Sequence, residues 1–121
     1  MRCVFAAALL VACGLVVAQE SETSSPTIWV AGIGNQSCGA LMKFLDGPEA
    51  NETIERFVMS WVDGFVTGLN IERAIRGGSQ VKPPDHPTIK LYLVKHCREN
   101  PLDTAGTAAA HMARELRERG G

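Results

Sequence analysis

Between Asn51 and Arg76, apolar residues recur at steps of three and four: Ile54, Phe57, Val58, Trp61, Val62, Phe65 and Leu69. A strand would repeat every second residue, so this period commits the stretch to a long amphipathic helix with one buried face. Any fold must give that face neighbours. Ser60, Gly64 and Gly68 put a small residue at every fourth position on another edge, where a second helix is expected to approach closely.

The flanking segments supply the neighbours. Ser37 caps a short helix reaching about Asp46, with Leu41, Phe44 and Leu45 inward and Gly47-Pro48 stopping it. Asn51 caps the long helix, and Glu52 and Glu55 suit its electropositive N-terminus. Glu52 with Arg56 and Glu72 with Arg76 are spaced to pair across its solvated side. Gly77-Gly78 ends it, and Val81 to Pro84 reads as a stiff connection. Asp85 caps a third helix reaching about Glu99, with Pro87 tolerated in the first turn and Ile89, Leu93 and Cys97 inward. Asn100 and Pro101 read as the cap and first position of a fourth helix, and Asp103 suits its N-terminus. Its inner face would be Leu102, Ala105, Ala109, Met112 or Ala113, and Leu116, so small that a neighbour must lie close. With no alternating strand of any length, the expected fold is all-α: a small four-helix irregular or orthogonal bundle.

Ahead of the helices, Met1 and Arg2 precede an apolar run from Cys3 to Val17, short for a membrane span and placed where a secretory leader belongs. Val16-Val17-Ala18 offers a cleavage site, so the expected organisation is a signal peptide over 1–18, a flexible polar segment over 19–35 and a helical domain over 36–119. Leu10-Val11-Ala12-Cys13 permits a second reading, a lipoprotein box that would acylate Cys13 and hold the protein at a membrane. The apolar run continues past Cys13 to Val17, which favours soluble export to the periplasm. Within 19–35, Ile28, Trp29 and Val30 interrupt the polarity, and Trp29 is expected either to pack on the domain or to anchor a partner. The run from Gly32 to Ser37 lacks the third glycine and the βαβ setting of a dinucleotide-binding turn.

Processing would leave 103 of the 121 residues, with eleven of the twelve basic residues and all thirteen acids, a net charge of −2. That is one small domain, and the dispersed charge gives no reason to expect nucleic acid or an anionic surface as partner. Two of the four cysteines would remain, Cys38 and Cys97. In an exported chain of this size such a pair reads as a disulfide, tying the first helix to the third and enclosing the long one. The inventory for catalysis is poor. His86, His96 and His111 show no metal-ligand spacing and are expected at the surface or partly buried, and Asp63, Asp85 and Asp103 match no paired-carboxylate motif. The expectation is a non-enzymatic protein with no catalytic residue, metal or cofactor, with an unrecognised enzyme kept as a further alternative.

Three runs carry a resemblance: Gln36-Ser37-Cys38-Gly39-Ala40-Leu41, the stretch from Trp61 to Asn70, and the stretch from Tyr92 to Pro101. Together they resemble the HdeA/HdeB-like periplasmic proteins over most of residues 36–118. The resemblance implies an acid-stress chaperone that binds unfolded periplasmic proteins without ATP, using the long helix's apolar face (Phe57, Trp61, Phe65, Leu69) and Trp29. A homodimer is left open. The longer interval between cysteines, the Trp29 segment and the Ala-rich last helix depart from that family's pattern. The chain is also similar in outline to the Rap1a/Tai immunity proteins, which implies the alternative of an inhibitor of a secreted amidase effector; it lacks that group's additional cysteines.

Overall fold

The structure, a computed structural model, describes residues 30–120. The expected leader over 1–18, Cys13 and Trp29 lie outside the described residues. Four α-helices make up the domain: α1 (Cys38–Leu45), α2 (Glu52–Ile75), α3 (His86–Glu99) and α4 (Ala105–Gly120), preceded by a 3-10 turn over Gly32–Asn35. Among the described residues there is no strand, only an isolated antiparallel bridge between Ser37 and Thr104. The all-α, four-helix class read from the periodicity is the class observed.

Three of the four caps stand where the sequence places them. The side chains of Ser37, Asn51 and Asp85 accept hydrogen bonds from the amides of Ala40, Ile54 and Thr88, satisfying donors that a helix start leaves free. Gly77, at φ +71°, ends α2 in the left-handed conformation that only glycine adopts without strain. Beyond it, Asn70 fastens the connection through two 2.8 Å bonds, one to the Val81 amide and one to its carbonyl.

The fourth cap differs. Asn100 and Pro101 do not start α4; Asn100 turns back to the His96 carbonyl, and Thr104 receives the Thr107 amide. A pair of backbone bonds, Cys38 amide to Asp103 carbonyl and Ala105 amide to Gln36 carbonyl, clamps this turn to the start of α1. The helix therefore begins after Thr104, and Leu102, expected inside, is 98% exposed.

Cys38 and Cys97 form the disulfide, both buried, with Cα atoms 5.0 Å apart and a sequence separation of 59. The core gathers around it: Leu41 and Leu45 of α1, Ile89 and Leu93 of α3, and the small face Ala105, Ala108 and Met112 of α4. α2 contributes Val58, Met59, Val62 and Val66. Its buried face is thus rotated from the expected stripe: Met59 and Val66 go in, Trp61 and Phe65 lie along the edge, and Phe57 is 68% exposed. Branched valines fit between α1 and α3, where aromatic rings would hold the helices apart.

The Ser60–Gly64–Gly68 edge is a second correction. All three residues are exposed, and a Cβ built at Gly64 or Gly68 meets nothing within 4 Å. The close approaches occur at Gly34 and Gly106. A Cβ at Gly34 would lie 2.1 Å from the Trp61 ring, and one at Gly106 would lie 2.9 Å from the Gly34 carbonyl oxygen. The small face of α4 therefore admits the 3-10 turn. Residues 32–35, placed by the sequence reading at the end of a flexible segment, are wedged between α2 and α4, with Gly34 buried.

Candidate functional site

α3 is the hub of the polar structure. Along its length it reaches every other helix through one arrangement, a donor on α3 meeting a carboxylate elsewhere. Near its start His86 pairs with Asp63 of α2 at 2.8 Å, and a turn later Lys90 donates to Glu55 of α2 at 2.7 Å. Tyr92 donates its hydroxyl to Glu115 of α4 at 2.7 Å. His96 pairs with Asp103 in the following turn at 2.9 Å, and Arg98 donates to Asp46 at the end of α1. The donors fall on both flanks of the buried Ile89–Leu93–Cys97 stripe, so one helix can present them to neighbours on either side.

On the α3–α4 side three rings gather. Tyr92 stacks on His96 with ring centroids 6.3 Å apart, and His96 lies 5.1 Å from His111. His96 is buried and His111 half-buried. Arg114 approaches His111 Nδ1 at 2.8 Å, and because a guanidinium can only donate, the imidazole accepts there. Burial, and then the hydrogen bond to Glu115, push the Tyr92 hydroxyl up to about 12. At the start of α3, the Thr88 side chain and amide together hold the Asp85 carboxyl below its ordinary value. Among the described residues no three His, Cys, Asp or Glu side chains gather in a way that would hold a metal ion.

The apolar residues read as a partner-binding face separate into three settings. Phe57 stands on the outer side of α2 with Thr53, Arg56 and Ser60 around a shallow depression. Trp61 is half-buried; its indole N–H donates to the Ala31 carbonyl at 3.1 Å, and its ring stacks on Phe65 at 5.4 Å. Phe65 continues with Leu69 into a groove between α2 and α4, rimmed by arginines. Phe57, Ile71 and Ile75 are also exposed on α2, Phe57 near its start and the two isoleucines near its end.

Sequence reading missed the lacing of α3. The paired residues lie 23 to 52 positions apart outside the local His96–Asp103 contact, beyond the reach of any helical spacing rule. Capping explained Asp85 and was also taken to explain Asp103, whose carboxylate instead serves His96.

What fold and site define is a small all-α domain with one internal disulfide and a single helix bonded to all its neighbours through carboxylates. Comparison with protein families, curated proteins and solved structures finds no match.

Proposed function

We propose that this is an exported, non-enzymatic holding protein that opens in acid and binds unfolded periplasmic proteins. The observation that carries the reading is the lacing of α3: its contacts to α1, α2 and α4 each include a carboxylate accepting from an α3 side chain. Carboxylates ordinarily take up a proton near pH 4. A carboxylate that has taken up a proton no longer attracts a cation, and basic side chains gathered on one helix are then left to repel one another. Acid thus acts on all the polar ties of one helix together.

Opening is limited by the disulfide, which acid does not break. α3 stays tethered to α1, so the loosened chain keeps a compact form and uncovers the Val58–Val62–Val66 face, on the side of α2 opposite the exposed Phe57, Ile71 and Ile75. Such a surface gains binding energy from burying apolar area of any unfolded chain, with no requirement for ATP or a cofactor. The resemblance to the HdeA/HdeB-like proteins implies the same behaviour.

The test is light scattering from an acid-sensitive client protein with and without the mature chain. Suppression of scattering near pH 2.5, absent near pH 7 and weaker after reduction, is the expected result. Scattering unchanged by the protein at every pH would defeat the proposal.

A further inference from the structure

The groove between the C-terminal half of α2 and α4 has a volume of about 780 Å3. Its floor is apolar, made by Phe65, Leu69 and Ala110. Its charged lining is of one sign: Arg73 from α2 and Arg114 and Arg117 from α4, with no carboxylate among the described residues that line it. One guanidinium nitrogen, Arg73 Nη1, is buried and has no hydrogen-bond partner among the described residues. Among the described residues Arg117 forms no ion pair, and Arg114 donates only to His111.

A buried charged donor without an acceptor is costly, and the chemistry that removes the cost is an anion. The volume falls in the range of small-molecule sites, and its combination of apolar floor and convergent polar groups is that of a ligand pocket. Its long walls, α2 and α4, have their backbone groups bonded within the helix, and the turn carrying Gly34 and Asn35 also lines it. A peptide laid in the groove would have few partners for its own amides, whereas an acyl chain has none to satisfy. We propose that the groove binds a single-chain amphiphile with an anionic head, of the fatty-acid class. The head lies at Arg73 with Arg114 and Arg117 around it, and the chain lies over Phe65, Leu69 and Ala110. This site belongs to the closed protein at neutral pH and does not depend on the acid-opened state.

The experiment is a fluorescence titration of the full mature protein at pH 7 with 11-(dansylamino)undecanoic acid and, separately, with its methyl ester. Saturable one-to-one binding of the acid, with the ester weaker by about tenfold or more, is the expected result for a charge-assisted contact. Arg73→Gln should weaken the acid by a similar factor and leave the ester unchanged. Ala110→Trp, an exposed position that fills the floor without entering the core, should abolish saturable binding while the melting temperature stays that of the parent. Dodecanoate and dodecyl phosphate should displace the probe, and inorganic phosphate should not. Equal binding of acid and ester, no saturable binding by the parent protein, undiminished binding by Ala110→Trp, or displacement by inorganic phosphate would each overturn the assignment. Because the acid–ester comparison uses the unaltered chain, the test survives a failure of Arg73→Gln to fold.

Discussion

If α3 is held to its neighbours by carboxylates, removing their charge at neutral pH should reproduce what acid does. The perturbation is the fourfold variant Asp46→Asn, Glu55→Gln, Asp63→Asn, Glu115→Gln, which keeps side-chain shape and removes the charge from every contact α3 makes to another helix. The Asp46–Arg98 and Asp63–His86 pairs are solvated and contribute about 0.5 kcal/mol each. Glu55–Lys90, with both side chains about one-third exposed, contributes about 1 kcal/mol, and the Tyr92–Glu115 bond to a charged acceptor about 1.5 kcal/mol. Amides can still accept, so the expected loss is about 2 to 3 kcal/mol, a large share of the roughly 5 to 15 kcal/mol typical of a small domain. Urea unfolding at pH 7 measures it as a lower midpoint at unchanged slope. A variant as stable as the parent at pH 7 would refute the reasoning.

Four further outcomes follow from the same geometry. The protein should gain the mass of two hydrogens on reduction, and removing the cross-link by Cys38→Ala with Cys97→Ala should cost about 4 kcal/mol for a loop of this length; free thiols at Cys38 and Cys97 in the native product would contradict it. Gly34→Ala should destabilise by about 2 kcal/mol through its collision with Trp61, and a double-mutant cycle with Trp61→Ala should recover about 1 kcal/mol or more of that loss. Tyr92 is the chain's single tyrosine, so an absorbance titration reads it alone: the midpoint should lie at about 12 and fall in Glu115→Gln. Because that value is raised in the fold, its stabilisation is fully present below about pH 10 and lost as pH rises toward the folded midpoint. Asp85 is the opposite case, with its folded value depressed. Its stabilisation is present above the unfolded value near 4 and lost as pH falls through the folded one, so Asp85→Ser, which keeps a capping acceptor without the charge, should flatten the acid limb of the stability curve.

The helices were legible because their signals are local. Ser37, Asn51 and Asp85 each announce a cap within three residues, and Gly77 announces a stop. The disulfide was legible because export would leave two cysteines and one way to join them. Which side of α2 faces inward was less so: Phe57 and Val58 are equally apolar, and only the identity of the neighbour decides that a valine fits and a phenylalanine does not. Gly34 and Gly106 were passed over in favour of Gly64 and Gly68, since periodic small residues attract attention and a glycine beneath a distant tryptophan leaves no pattern. The α4 start was misplaced for a similar reason. Asn100-Pro101 is a strong local signal, overridden by the clamp of residues 103–105 onto residues 36–38, more than sixty positions away. The groove arginines lie on two helices and became a set only when α2 and α4 were brought together.

The central claim is that loss of carboxylate charge on the partners of α3 is itself what turns the protein into a holder of unfolded chains. Low pH confounds this, since it also unfolds the client. Client scattering at pH 7 therefore tests it most directly, using a chemically denatured client diluted into buffer with either the parent or the fourfold neutralised variant, disulfide intact. The account predicts that the variant suppresses scattering at neutral pH, where the parent does not. A variant loosened by the expected 2 to 3 kcal/mol in urea, yet no better than the parent at holding the client, would contradict it.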